Sequence, residues 1–299
     1  MFRFLLETTM PLNNDDSFDR RSVMLMLGSV ILFAANTLLV RAVALHTPAA
    51  DGWIATILRG GVGLLVVFAF YGWGRGLEPR RLFRGKLITT RGIVGALSIV
   101  AFYVTIVKLG AARAVILNLT YPIFASVIAA IWLKEKLSRA AMLWMLVGFA
   151  GLVIFLSDDG QLLRPSAYDL LALAGALGAG WVVVIIRRLR HEEHPATIYA
   201  SQAFYSLIIA SPWVGKISAL PASAMLGLVV GAVIVTIAQL IMTRAYQFMS
   251  VSRGSSLQML LPLVTAVGGY IFFNEAFHPL EIVGALLTLL ATWRVVASR

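Results

Sequence analysis

The 299-residue chain has no cysteine, which excludes disulfides, thiolate nucleophiles and cysteine-held metals. Its 14 acidic residues all fall in tails, in gaps between apolar runs or in the end turns of such runs. A cation-coupled drug pump is expected to keep a carboxylate inside the membrane. Its absence argues against cationic drugs as cargo and leaves the energy source open. Histidine is equally peripheral: His46, His191, His194 and His278 lie in gaps, where none can serve a buried serine nucleophile. His191-Glu192-Glu193-His194 is not H-E-x-x-H, and its spacing in a basic gap reads as solvated. The P-loop pattern is missing too, because Gly85-Lys86 and Gly215-Lys216 lack the following Ser/Thr and the earlier glycine; this argues against an ATP-driven pump. Asp15-Asp16 and Asp158-Asp159 are isolated pairs, too weak for metal–diphosphate chemistry. No metal or cofactor is expected, and an enzyme acting on lipid inside the membrane stays only as a distant alternative.

What the chain does have is apolar length. It is 60% hydrophobic and 13% charged, against about 25% charged residues in a soluble domain, so an integral, multi-pass membrane protein is expected. The net charge of +11 could point to nucleic acid, but it sits in short gaps between apolar runs, the pattern that orients membrane proteins. Nucleic acid is therefore not an expected partner; membrane lipid is. A spanning helix needs about 20 mostly apolar residues. Ten candidates run near 22–44, 53–73, 89–107, 112–133, 139–157, 168–187, 196–214, 224–243, 253–273 and 279–297. With the N-terminus inside, 19 Lys and Arg fall in inner segments, among them Arg80, Arg81, Lys86, Arg91, Lys134, Arg187 and Arg244, and four in outer gaps: Lys108, Arg113, Arg164 and Lys216. That asymmetry predicts ten crossings with both termini in the cytoplasm of a plasma (bacterial inner) membrane. The remaining two basic residues, Arg41 and Arg59, lie inside spans.

The chain also repeats itself. RAVILNLTYPIFASVIAAIWLKE (Arg113–Glu135) returns as RGSSLQMLLPLVTAVGGYIFFNE (Arg253–Glu275), with Arg, Pro and Glu in the same three places. Proline removes a backbone donor and clashes with the carbonyl four residues back; that carbonyl belongs to Asn118 for Pro122 and to Gln258 for Pro262. Each helix is expected to kink there, with a loosened carbonyl and an amide side chain at one level. In lipid such a defect is tolerated only beside protein or a water-filled cavity. Five spans per repeat is an odd number, so the second copy is inverted, a recurring plan of secondary transporters.

Ala111-Ala112-Arg113-Ala114 with Leu117, Pro122, Phe124, Ala125 and Glu135, followed by a glycine-containing span and present in two copies, resembles the drug/metabolite transporter superfamily, and within it the EamA-type permeases. The resemblance covers roughly 22–297. It implies a polar cytoplasmic tail at 1–21, five-helix repeats at 22–157 and 168–297 joined by an outer linker at 158–167, and a central cavity lined mainly by spans 1, 3, 4, 6, 8 and 9. Members carry amino acids, organic acids, nucleotide sugars, vitamins or drugs. The chain departs from the pattern at Leu260 and Leu261, where the first copy has Thr120 and Tyr121. Arg113 and Arg253 are also more polar than is expected at those helix ends.

Arg59 is the sharpest candidate for chemistry. It lies roughly 9 Å into span two at about 1.5 Å per residue, where a charge must face protein or water. With Arg41 near the outer end of span one, it could draw a carboxylate or phosphate into the cavity; Asp51 is the competing structural partner. Asn36, Tyr103, Asn118, Tyr121, Trp181, Gln202, Gln239 and Gln258 are further candidate solute contacts, each also able to bond or pack against a neighbouring helix. Glu135 and Glu275, at helix ends, read as structural or gating residues able to pair with Lys134, Arg139 or the other half. Gly60, Gly61, Gly63, Gly148, Gly151, Gly175 and Gly178 permit close helix approach within one chain or between copies, so monomer and homodimer stay open. The expected function is alternating-access export of a small polar or amphipathic metabolite, such as an amino acid or related anion, through a midplane site near Asn118 and Gln258. The alternative is a facilitator or exchanger for a larger anion (nucleotide, nucleotide sugar or flavin-like vitamin).

Overall fold

The structure, a computed structural model, describes residues 20–47, 50–72, 76–109, 111–156, 166–273 and 279–297. In chain order its α-helices are α1 (Arg20–His46), α2 (Gly52–Tyr71), the single turn α3 (Arg81–Arg84), α4 (Lys86–Leu109), α5 (Ala111–Asn118), α6 (Tyr121–Ile128), α7 (Arg139–Leu156), α8 (Ala167–Leu189), α9 (Pro195–Ala210), α10 (Ala222–Ala245), α11 (Val251–Gln258), α12 (Leu261–Phe273) and α13 (Pro279–Ala297). Among the described residues, five stretches are by themselves long and apolar enough to cross a membrane: Arg20–His46, Gly52–Tyr71, Ala167–Leu189, Ala222–Ala245 and Val251–Phe272. Tyr121–Leu133, Arg139–Phe155 and Ile282–Ala297 are shorter apolar helices. Five falls short of ten partly because helices are interrupted. α5 and α6 are separate short helices, and α9 gives way at Ser211 to a 3₁₀ segment, Ser211–Ala219, that carries a proline in its first turn.

The two proline-containing stretches break at matched places. α5 ends at Asn118 and α11 at Gln258, each four residues before its proline, and each helix restarts one residue before that proline. At the breaks the ladder tightens to i→i−3: Thr120 N–H bonds to Leu117 O at 3.2 Å and Leu260 N–H to Leu257 O at 3.1 Å. Such bonds are the usual way to satisfy backbone groups that a helix end leaves over.

Packing partners in the first part of the chain recur in the second. α1 lies on α10 as α8 lies on α4, α2 packs on α10 as α9 packs on α4, and α6 meets α8 as α12 meets α1. Two pairs map onto themselves under that exchange, α2 with α9 and α7 with α13, and α6 also meets α11 across the halves. The α7–α13 pair comes close where Gly151 and Gly284 face each other. A Cβ on Gly284 would stand 2.5 Å from Gly151 O and from Phe155 N. The Thr288 hydroxyl is placed to donate to Gly284 O at 2.9 Å and, across the interface, to Gly148 O at 3.3 Å. The opposite face of α13, with Leu280, Ile282, Leu286, Leu289 and Trp293, is exposed, as suits a lipid-facing surface. Gly284→Ala should lower the thermal midpoint in detergent, overpacking costing about 1–3 kcal/mol. Gly28→Ala, where nothing lies within 4 Å of an added Cβ, should leave it unchanged or raise it. Equal midpoints for the two variants would contradict the close α7–α13 contact.

Candidate solute-binding site

Asp51 starts α2 by capping it. Its Oδ1 accepts from the N–H groups of Trp53 and Ile54 at 3.0 and 3.1 Å, and its Oδ2 accepts from the Lys216 ammonium at 2.6 Å. Burial pushes the Asp51 carboxyl up, but Lys216 and the two N–H donors outweigh burial and hold it below the usual carboxylate range. Nearby, Trp53 stacks on Trp213 with ring centroids 3.8 Å apart. Asp51 is thus committed at the start of the helix, and Arg59, two turns further in, turns elsewhere. Arg59 Nη2 donates to Gln239 Oε1 of α10 at 3.4 Å. The Tyr199 hydroxyl of α9 occupies the space left by Gly63; it lies 3.3 Å from Arg59 O, to which it can donate, and 3.0 Å from Thr236 Oγ1.

Beside this cluster α1 (Asn36, Val40), α2 (Ala55, Arg59) and α10 (Ala232, Val235) line a small, partly open recess, with about 20 Å³ of room for the centre of a water molecule. Its residues come from the first turns of α2 and the first half of α10, so it lies towards the end of the bundle that carries Asp51. Of the six spans the family resemblance points to, the first and eighth contribute; the second joins them.

Other candidates stand apart. Gln258, buried, donates from Nε2 to Met26 Sδ at 3.2 Å. Asn118 is half-buried at the end of α5. Tyr121 packs among apolar residues that include Leu119, Leu152, Met259 and Leu263. Trp181 stacks on Trp132 with centroids 4.8 Å apart and planes at 20°. Asn118, Tyr121 and Gln258 lie at or beside the helix breaks, and none of the four lines the recess. Arg41 is exposed on α1 and does not line the recess. The side chain of Tyr103, the whole of Glu275 and the linker at 158–165 lie outside the described residues.

One residue of this centre was misplaced on sequence. Arg91 reads as part of a basic gap, but α4 begins at Lys86 and Arg91 is fully buried in it, donating from Nη2 to Gln202 Oε1 of α9 at 2.7 Å. The available signal was Gly95, one turn on. A Cβ there would sit 2.6 Å from Arg91 Nη1, so the glycine makes room for the guanidinium. Tyr199, which links α9 to α2 and α10, was likewise not singled out.

At the opposite, basic end of the bundle, Glu135 ties the two halves together. Lys134 adopts a left-handed conformation, φ 56°, which ends the preceding helix and turns the chain so that Glu135 reaches the other half. Glu135 Oε1 accepts from Arg187 Nε at 3.3 Å and Oε2 from Val251 N–H, the first residue of α11, at 2.9 Å. Arg187 Nη1 also donates to Tyr246 O and Gln247 O, just past α10, at 2.8 and 2.6 Å. A second tie joins Arg81 to Glu193 at 2.8 Å and to Glu78 at 2.6 Å. His194 caps α9 beside it, its Nδ1 accepting from Ala196 N–H at 3.2 Å. Burial first, then the charges of Arg190 and Arg244, push His194 down to about 4.

The helical bundle with a polar recess between its helices is that of a small-molecule membrane transporter. The chain belongs to the EamA-like transporter family, which it matches over residues 20–157 and again over 166–297; it is a multi-pass integral membrane transporter and not an enzyme. It is 24% identical over 279 residues to the pseudopaline exporter CntI of Pseudomonas aeruginosa strains UCBPP-PA14 and PAO1, covering 91% of this chain and 94% of each relative. A solved crystal structure, 17% identical, has the same fold at a TM-score of 0.76 over 91% of this chain and 95% of its own.

Two outcomes follow at the basic end. In a chain without native cysteine, a single Val251→Cys reports opening there; adding Glu135→Ala should raise its labelling by an impermeant maleimide about tenfold, since hydrogen bonds to charged groups are worth about 1.5–3 kcal/mol. Unaltered labelling would show that Glu135 holds nothing closed. His194 protonates near 6.5 when unfolded and near 4 when folded, so the unfolded chain binds more protons between those values. Stability should therefore fall as pH drops through that window. His194→Asn, which keeps a capping acceptor, should shallow the decline; an identical slope in both proteins would assign it to other groups.

Proposed function

We propose that the chain is a secondary transporter that exports a small polar or amphipathic metabolite, an amino acid or related organic anion, by alternating access in a bacterial-type plasma membrane. The observation that carries this reading is Arg59. Its guanidinium lines the recess, bonds only the neutral amide of Gln239 among the hydrogen bonds described, and has no carboxylate among the residues lining that space. A charge held in such a place needs a counterion, and an anionic solute is one that can arrive and leave. Export is supported by likeness to a relative named as an exporter along nearly its whole length.

The architecture that fits is ten crossings in two inverted five-helix repeats, 22–157 and 168–297, with both termini cytoplasmic. The exchange of packing partners between the halves supports it, as does the concentration of Lys and Arg at one end. The Glu135–Arg187 tie then closes the cytoplasmic side while the recess lies on the outer side. Pro122 and Pro262, with the breaks at Asn118 and Gln258, are the points about which each half flexes, and Glu275 serves the outer end as Glu135 serves the inner. The second reading, a facilitator or exchanger for a larger anion such as a nucleotide or flavin-like vitamin, is favoured only by the Trp132–Trp181 stack.

Proteoliposomes screened with labelled amino acids and organic anions test the proposal. Arg59→Gln should weaken apparent affinity for a transported anion about tenfold or more, the equivalent of about 1.5–3 kcal/mol for charged hydrogen bonds, and leave neutral solutes unaffected. Unchanged anion flux would remove Arg59 from the site, and lipid turnover without solute flux would reverse the assignment.

A further inference from the structure

A second guanidinium lies near Arg59 but outside the residues that line the recess. Arg91 is 0% exposed, yet only its Nη2 is engaged, by the neutral amide of Gln202; Nε and Nη1 have no hydrogen-bond partner among the described residues. Arg187 in the same molecule looks quite different, with a carboxylate and two backbone carbonyls around its fork. Arg91 is near enough to Arg59 for the two charges to repel, and both act on the Tyr199 hydroxyl. Their surroundings are neutral: Gln202, Gln239, Tyr199, Thr236 and the bare backbone at Gly95. The carboxylates that could answer them are occupied at the ends, Asp51 by Lys216, Glu135 by Arg187, Glu78 and Glu193 by Arg81.

A buried charge without a partner is strongly unfavourable, and two of like sign side by side are worse. A guanidinium is planar, keeps its charge, and offers paired N–H donors that match a carboxylate. We infer that Arg59 and Arg91 form a two-point anion site, and that the transported solute carries at least two carboxylates, one received at Arg59 from the recess and one at Arg91. Arg91 is then the residue that separates dicarboxylates from monocarboxylates. The slot left by Gly95 sets the position of its guanidinium. This inference rests on the transport reading above and narrows its cargo.

The test uses the full-length protein, with acetate, succinate and citrate as probes in thermal-shift and proteoliposome-flux measurements. In the wild type, succinate and citrate should act at concentrations at least about tenfold lower than acetate, one charged contact corresponding to roughly a tenfold to hundredfold change. Arg91→Gln should remove that advantage, and Arg91→Lys should restore part of it. Gly95→Ala, which keeps every charge but crowds Nη1, should weaken succinate selectively; it decides the matter if Arg91→Gln does not fold. A wild type that treats acetate and succinate alike, or a folded Arg91→Gln that still prefers succinate, overturns the two-point site. If monoanion flux remains sensitive to Arg59 in that case, the transport reading stands and only the inference falls. No flux of any anion removes both.

Discussion

Inside a bilayer no water satisfies the backbone, so every N–H and C=O of a crossing segment must be bonded within the protein. Helices meet that demand until a proline interrupts them, and Pro122 and Pro262 interrupt them at the same level of two similar helices. The i→i−3 bonds at Thr120 and Leu260 keep the cost local. The restarted helices α6 and α12 then pack on α8 and α1 respectively, so each break is enclosed by protein on the side that would otherwise meet lipid. The irregular backbone at each break therefore lies beside packed helices.

The two ends of the bundle are closed by unlike chemistry. At the basic end Glu135 joins the end of the π-turn Ala129–Leu133 to α8 and to the start of α11, and Arg187 of α8 carries the link to the segment after α10. Because Arg187 also holds the two carbonyls past α10, loss of one contact loosens the others. At the Asp51 end the described ties are one salt bridge and a Trp–Trp stack, both between α2 and the 3₁₀ segment. These leave the side facing α1 and α10 free to form the recess. Charge follows the same division: Arg81, Arg187 and Arg188 at the basic end are answered by Glu78, Glu135, Glu192 and Glu193, and no described ion pair answers Arg59 or Arg91 at the centre.

Much of this was legible in the residues. Helix positions follow from apolar length, and the matched prolines followed from a repeat that survives in only a few letters. Arg59, Gln239 and Asn36 were visible as polar residues inside apolar runs, and the structure brings them together. Asn118, Tyr121, Trp181 and Gln258 were visible as candidates too, but Asn118, Tyr121 and Gln258 lie at or beside the breaks and Trp181 stacks on Trp132. Polarity inside a span says that a partner exists but not which helix supplies it. Arg91 was missed for a related reason: hydropathy blurs the first turns of a helix that begins Lys86-Leu87-Ile88-Thr89-Thr90, so a buried arginine reads as a gap residue.

Membrane character, the doubled pattern and the asymmetry of charge are properties of order along the chain, because hydrophobic length and positive charge act residue by residue against a fixed slab of lipid. The linear order could offer Asp51 as a partner for Arg59, but it could not weigh Lys216, which lies 165 positions away and takes that carboxylate. Which amide faces which guanidinium, and that Glu135 grips the far half of the molecule, depend on how the helices cross. Crossing is set by the bare faces of residues such as Gly63, Gly95 and Gly284, whose effect exists only when a second helix lies against them.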